Sequence, residues 1–302
     1  MMKPVYILSA TAISPQHSFD PAGFLQPVMS SDNNKLFVQD PDYTKFINPV
    51  AIRRMSRLIK MGISAGMKSL QDAGITTPDS IITGTGRGSM NDTERFLTDM
   101  IRMNEEALNP TFFIQSTYNS INGWLAMQTK CTGYNQTFVH RGFSFEWALM
   151  DAQMLLDEAA LPTTILAGCF DELTDDYFLV KSKVNYWKKA PVNSLELLNN
   201  VQTNGTIAGE GVAFFTLSNE KHDAACAITA IKMLQDADAE EISAAVKEIL
   251  AENKLAPTDI DLVMTGRNGD AAREYIYAAA LKDIPTDVTI VSFKHLCGEY
   301  DS

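Results

Sequence analysis

The chain has 302 residues, 45% of them apolar, and its 25 Lys and Arg against 37 Asp and Glu give a formal net charge of −12. This composition is typical of a globular protein. The acidic excess argues against general binding to nucleic acid or to an anionic membrane, because both require a surplus of Lys and Arg. We therefore expect no nucleic acid and no membrane among its partners.

No apolar run approaches the roughly 18 residues that a membrane-spanning helix needs. The apolar run at residues 5–8 follows a proline and is too short for a signal peptide, so we interpret it as a first β-strand. The four cysteines are far apart and form no CxxC pair. These features predict reduced thiols and a cytoplasmic location.

Short apolar runs typical of strands buried on both faces alternate with segments of helical period. We predict strands at residues 5–10, 80–83, 136–140, 163–168, 212–217, 227–233, 262–265 and 288–292. A 3–4 spacing of apolar residues predicts helices over 52–70 and 242–250, and a third helix follows at 143–158. This alternation indicates an α/β layered fold.

Residues 73–88 and 254–269 repeat one pattern: the end of a helix, a turn with Pro and Asp, an apolar strand and a Gly-rich loop. The repeat indicates two related halves, which we place at residues 1–220 and 221–302. The first half carries an insertion at about 14–49 that is expected to be loop-like. The second half lacks counterparts of one helix and two strands, so we expect a truncated chain or a gap that another chain covers.

The most informative segment is YNQTFVHRGFSFEWAL at residues 134–149. A strand runs into a helix through Arg141 and Gly142, which is the outline of a nucleophile elbow, a sharp turn that exposes one side chain. Free N–H groups and the helix dipole at such a turn stabilise a thiolate or an oxyanion. The residue at the turn is Gly142, which has no side chain to expose, and Ser144 fits a helix N-cap.

Seven segments in this order resemble the β-ketoacyl-acyl-carrier-protein synthases, condensing enzymes with the thiolase-like fold. They are YILSATAISP at 6–15, the helix at 53–75, NPTFFIQSTYNSINGWLAM at 109–127, the elbow, LAGCFDEL at 166–173, GEGVAFFTLS at 209–218 and SFKHLCGEY at 292–300. The resemblance implies five layers, α/β/α/β/α, formed by two pseudo-symmetric halves, with the C-terminal half incomplete.

The family's active site is one Cys and two His. By position the Cys falls on Gly142, the first His near Gly266 and the second His on Glu299, and only the Lys of the last motif survives, as Lys294. Condensation needs a thiolate to hold the acyl chain and imidazoles to polarise the malonyl thioester. The resemblance therefore predicts a chain that retains no catalytic residue and is inactive on its own, with no cofactor and no metal.

The chain most resembles the chain-length-factor-like partners of type II ketosynthases, and residues 137–156 resemble the branch found in aryl polyene pathways. Such subunits keep the fold, lack the nucleophile and pair with an active ketosynthase. His140 lies on the strand that would pair across the dimer. The residues that would reach the partner's acyl tunnel, where bulk limits chain length, are Gln115, Ser116, Thr117 and Tyr118.

A basic cluster stands out in this acidic chain, namely Arg53, Arg54, Arg57 and Lys60. Condensing enzymes hold acidic acyl carrier proteins with Arg and Lys, so the cluster is either a carrier-protein contact or the solvated face of a helix. Two other functions also remain open. One is a divergent synthase, acyltransferase or thioesterase that uses Cys297, His140 or Glu299, and the other is a homodimeric acyl-binding protein.

Other chemistry-bearing residues receive structural interpretations. Cys131, Cys169 and Cys226 are expected to be small buried residues. The Gly-rich run at 83–89 lacks the spacing of a phosphate-binding loop, so a tight turn is expected there. The acidic residues that we assign to a solvated loop rather than to a cation site are Asp171, Glu172, Asp175 and Asp176.

Overall fold

The computed structural model describes residues 3–20, 25–199 and 201–302. The first half comprises, in chain order, β1 (Val5–Ile13), β2 (Lys35–Leu36), α1 (Pro49–Ile52), α2 (Arg57–Asp72), β3 (Ser80–Gly88), α3 (Met90–Arg102), α4 (Pro110–Ser116), α5 (Ser120–Thr129), β4 (Asn135–Phe138), α6 (Ser144–Glu158), β5 (Thr164–Asp171), α7 (Asp175–Lys183), β6 (Ala208–Gly209) and β7 (Gly211–Ser218). The second half comprises β8 (Cys226–Ile228), α8 (Ala239–Glu252), β9 (Leu262–Thr265), α9 (Glu274–Ala280), β10 (Thr289–Ser292) and α10 (Lys294–Cys297).

Six strands form the main sheet in the order β4-β3-β5-β7-β1-β8. β3 lies parallel to β4 and β5, whereas β7 is antiparallel to β5 and β1. Neighbouring residues of β3 face opposite layers, since Ile81 packs in the core with α2 and Ile82 packs with α6. Helices thus cover both faces, which is why the central strands are continuous apolar runs.

Helix α2 begins later than the apolar spacing predicts. Ile52 and Met55 were expected on its buried face, but the helix begins at Arg57, with Ser56 as its N-cap residue. Ile52 instead ends the short α1. The turn between the two helices leaves Arg53 and Arg54 exposed.

The second half contains a small parallel pair, in which Leu262 to Thr265 of β9 lie beside Thr289 to Ser292 of β10. This pair is parallel, like the pair formed by β3 and β4. The strand predicted over residues 227–233 is shorter than expected, because β8 ends at Ile228 and joins the main sheet antiparallel to β1.

The insertion is largely irregular, as predicted, but it is held against the C-terminal segment. β2 pairs in parallel with β6, and Glu299 bonds to the same stretch of chain through Ile207 and Gly209. The buried amide of Gln16 donates to the Leu296 carbonyl at 2.8 Å. The insertion therefore contacts the C-terminal segment at Leu296, three residues before Glu299, although its residues 21–24 lie outside the described residues.

Two loop predictions are wrong. The Gly-rich run at 83–89, expected to be a tight turn, continues β3 as far as Gly88. Asp171, expected in a solvated loop, is fully buried at the end of β5, where it accepts bonds from the Thr85 hydroxyl and the Arg87 N–H. These donors satisfy the buried carboxylate and hold β3 extended. Glu172 is buried too, whereas the other two acidic residues are exposed.

Candidate functional site

The predicted elbow forms between β4 and α6. Gly142 has a φ of 93°, and no atom lies within 4 Å of the position that a Cβ would occupy. Ser144 is the first residue of α6 rather than the predicted N-cap. Its buried hydroxyl accepts the His140 N–H at 3.0 Å and lies 2.7 Å from the His140 carbonyl. The turn therefore has the shape of a nucleophile elbow, and space for a side chain, without a nucleophile.

The backbone of Asp301 lies against this elbow. The Gly142 N–H donates to the Asp301 carbonyl at 3.0 Å. The Asp301 carboxylate accepts a bond from the Tyr177 hydroxyl at 2.6 Å and lies 3.8 Å from Arg87 Nε. The elbow N–H, which would otherwise face an oxyanion, is thus bonded to the chain's own carbonyl.

Glu299 accepts hydrogen bonds from two side chains, one of them charged. Lys294 Nζ donates to Glu299 Oε1 at 2.7 Å, and Asn268 Nδ2 donates to Oε2 at 2.8 Å. Burial disfavours the charged amine of Lys294, but the charge and hydrogen bond of Glu299, with smaller effects of Cys297 and Tyr277, together raise the pKa of Lys294. The carboxylate is therefore held in an ion pair and offers no free base to a substrate.

The loop that carries Gly266 meets the same segment. The Gly266 carbonyl accepts a bond from the Tyr277 hydroxyl at 2.7 Å, and Asn268 lies two residues on. Through Asn268 this loop contacts Glu299, and through Asp301 the elbow contacts the same stretch. The structure thus links the three predicted positions through residues 299–301.

The thiols nearby are poor nucleophiles. Burial raises the pKa of Cys297 to about 11, even though Lys294 opposes the shift. Burial likewise raises the pKa of Cys169 to about 12. Both are therefore protonated near neutral pH. Cys131 is buried as predicted, whereas Cys226 is exposed, contrary to prediction.

Sequence reasoning missed the polar network beneath the elbow. The Arg87 guanidinium lies 4.4 Å from the centre of the Tyr177 ring, and its Nε lies 3.9 Å from Asp171. The side chains of Arg87 and Asp171 are almost completely buried. The contact could have been predicted from the positions of Arg87 and Asp171 at the ends of two strands, because the ends of neighbouring parallel strands meet at one edge of a sheet.

The four predicted tunnel residues make different contacts within the chain. The Gln115 amide accepts the Ser56 N–H and donates to the Arg54 carbonyl, both at 2.6 Å, so it holds the turn before α2. The hydroxyls of Ser116 and Thr117 donate to backbone carbonyls within α4. An open groove of about 600 Å³ is lined by Ser116, Thr117, Tyr118, Asn119, Asn135, Gln136, Thr137 and Val139.

The four residues of the predicted basic cluster also differ in their contacts. Arg57 bonds to the buried Glu210 at 2.7 Å and to Asp40 at 3.2 Å, so it is not available to a partner. Within the described ranges, no ion pair engages the other three basic residues. Beside Arg54 lies a groove of about 500 Å³, lined also by Asn48, Val50, Ala51, Met55 and Trp124.

β4 is an edge strand, and within the part of the chain that the structure describes no strand pairs with its outer side. Large apolar side chains are exposed on this strand's flanks and on neighbouring helices, namely Phe113, Ile114, Tyr134, Val139, Trp147 and Met154. His140, expected within this strand, lies two residues beyond its end at Phe138 and is exposed as well. An unpaired edge with exposed apolar residues is typical of a surface that another chain covers.

The model of the β-ketoacyl synthase N-terminal domain matches residues 29–235. The fold is similar to the ishigamide ketosynthase/chain length factor, with a TM-score of 0.74 and 17% identity over 98% of this chain and 82% of that one. The fold is also similar to a β-ketoacyl synthase from Burkholderia phymatum STM815, with a TM-score of 0.74 and 16% identity over 98% of this chain and 83% of that one. A third similar structure is a type II polyketide synthase acyl-carrier protein in complex with its ketosynthase bound to the hexaketide. Its TM-score is 0.71, with 16% identity over 100% of this chain and 88% of that one.

These likenesses confirm the predicted thiolase-like α/β fold. No curated protein matches the sequence. Among the helices that the structure describes, none has the length and apolar character needed to cross a bilayer.

Proposed function

The chain belongs to the β-ketoacyl synthase family, and we propose that it is a non-catalytic, chain-length-factor-like subunit of a cytoplasmic type II fatty acid, polyketide or aryl polyene system. It would pair with an active ketosynthase and shape the tunnel that holds the growing acyl chain. One observation carries this proposal: Gly142 and the loop of Gly266 and Asn268, where the sequence predicts the Cys and the first His, both contact residues 299–301, which include the predicted second-His position, Glu299.

The chemistry of those positions opposes condensation. Gly142 cannot form a thioester, and its N–H is already bonded to Asp301. Residue 299 supplies neither an imidazole nor another neutral hydrogen-bond donor, because its side chain is a carboxylate paired with Lys294. A site without nucleophile, oxyanion donor or imidazole lacks the groups that acyl transfer uses.

The exposed edge of β4 supports pairing with a second chain. In this proposal that edge meets the corresponding strand of the ketosynthase, and the apolar residues around it become buried. His140, two residues beyond the end of β4, would then lie at the seam of the dimer. The groove that contains Tyr118 opens beside the same edge, so a partner docked there would border it.

The turn at Arg53 and Arg54 supports contact with an acyl carrier protein. Both side chains are exposed, and the adjacent groove includes Val50, Met55 and Trp124. A basic rim around an apolar groove complements an acidic helix with an apolar anchor. Within the original cluster this contact uses Arg53, Arg54 and Lys60 and omits Arg57, which is engaged with Glu210.

Co-expression with a ketosynthase encoded by an adjacent gene tests the proposal. We expect the two proteins to co-purify as a heterodimer, and we expect the product lengths to differ from those of the ketosynthase alone. If the proteins never co-purify and the ketosynthase gives the same products by itself, the proposal is wrong. A chain that purifies alone, as a dimer with bound lipid, would favour the homodimeric acyl-binding alternative.

The enzymatic alternative depends on a displaced nucleophile, and one candidate is Cys297, two residues before Glu299 in the sequence. Its pKa is raised to about 11 by burial, which keeps the thiol protonated and argues against this role. Incubation with acyl carrier protein or acyl-CoA distinguishes the two functions. A covalent adduct that disappears in Cys297→Ala would support the enzyme.

A further inference from the structure

The ring of Tyr118 lies against Gly88, the last residue of β3. A Cβ on Gly88 would be 2.7 Å from Tyr118 Cδ1 and 3.0 Å from Cε1. Both distances are shorter than carbon atoms adopt in van der Waals contact. The ring can therefore occupy its place only because residue 88 has no side chain.

The same ring lines the groove of about 600 Å³ beside β4. Tyr118 is 46% exposed, so the ring has room to turn about its side-chain torsions. Gly88, by contrast, lies in a strand whose nine residues are all buried. A methyl group at residue 88 would consequently move the ring rather than the strand.

We propose that Gly88 is a positioning residue: by leaving space for the Tyr118 ring at the end of β3, it sets how far that ring reaches into the groove, and hence the length of acyl chain that fits. This inference rests on the proposed function, in which the groove borders an acyl tunnel. A ring displaced from Gly88 narrows the groove, because the ring keeps its volume and loses its place against the strand.

The test compares Gly88→Ala with Gly74→Ala. Gly88 has a φ of 66° and Gly74 a φ of 70°, but nothing lies within 4 Å of a Cβ on Gly74. Both variants therefore introduce similar backbone strain, and only Gly88→Ala introduces a collision with Tyr118. Crystal structures of both variants locate the ring, and mass spectrometry of products from the reconstituted heterodimer measures chain length.

We expect the ring to move in Gly88→Ala alone and the products of that heterodimer to become shorter. Tyr118→Ala by itself should lengthen the products, and adding it to Gly88→Ala should abolish the shortening. Should Gly88→Ala not fold, the product lengths of Tyr118→Ala and Tyr118→Phe decide, because only the former removes the ring.

An unmoved ring in Gly88→Ala would overturn the inference. So would unchanged product lengths in Gly88→Ala and Tyr118→Ala while the heterodimer still forms. If the unmodified chain does not alter the products of the ketosynthase at all, the proposed function is wrong and the assignment to chain length is wrong with it. The ring position in the two crystal structures distinguishes these failures, because it does not depend on the partner.

Discussion

Lys294 donates a 2.7 Å hydrogen bond to Glu299, the residue that the sequence predicts at the position of the second His. The side chains of this ion pair are only 18% and 16% exposed. The Glu299 backbone bonds to Ile207 and Gly209 of the first half, while its carboxylate also binds Asn268 of the second half. Glu299 thus links the segment at residues 207–209 to the loop that carries Asn268.

Breaking this ion pair should destabilise the fold. In Lys294→Met the Glu299 carboxylate keeps Asn268 but loses its counter-charge, so we expect the free energy of unfolding to fall by about 2 kcal/mol. Urea denaturation of the full chain measures the change. Exchange of the two residues, Lys294→Glu with Glu299→Lys, should restore part of the loss. Equal stability of the single variant and the unmodified chain would contradict this interpretation.

Installing a thiol should not create a synthase. Gly142→Cys has space for its side chain but must adopt a φ near 93°, so it should lower the free energy of unfolding by about 1 kcal/mol. We expect no acyl transfer and no malonyl decarboxylation, because both imidazoles are absent. Gly142→Ala is the matched control for the backbone strain. Turnover by Gly142→Cys above that control would show that the missing sulfur was the only defect.

The stability of the chain should depend on Glu172. Burial raises the pKa of this carboxyl from 4.5 to about 7, although the Asn91 N–H opposes the shift. The folded state therefore binds the proton more tightly than the unfolded state. The contribution of Glu172 to the free energy of unfolding is present below pH 4.5 and is lost as pH rises to about 7.

Glu172→Gln should remove this pH dependence. Relative to the unmodified chain it should gain stability between pH 5 and pH 8, on the order of 2 kcal/mol. Denaturation curves at the two pH values give the difference. Parallel stability profiles for the two proteins would mean that Glu172 ionises normally in the folded state.

A charge on the β4 edge should abolish partner binding without affecting the fold. Val139 is 46% exposed beside this edge, and Val139→Lys would bury an unpaired ammonium in the proposed interface. We expect at least a tenfold loss of ketosynthase affinity, measured by calorimetry, with an unchanged melting temperature. Leu161→Lys is the control, because Leu161 is 74% exposed in the loop between α6 and β5. Equal affinities would place the interface elsewhere.

The order of the longer strands and of helices α2, α6 and α8 could be predicted from the sequence, because buried strands and amphipathic helices have different periods. Helices α3, α4, α5, α7 and α9 were not predicted. What could not be predicted was which polar residues are buried. Asp171 reads as part of an acidic loop, yet the donors of β3 that satisfy it lie more than eighty residues away in sequence. Arg57 reads as part of a basic surface, but the buried Glu210 engages it. Such pairings depend on strand order, which local patterns do not contain.

Intact-mass spectrometry of the heterodimer tests the central claim most directly. The purified complex is incubated with acyl-loaded carrier protein, and the masses of both subunits are measured before and after. We predict an acyl adduct on the ketosynthase alone, with the mass of this chain unchanged. An acyl group covalently bound to any side chain of this chain would contradict the account.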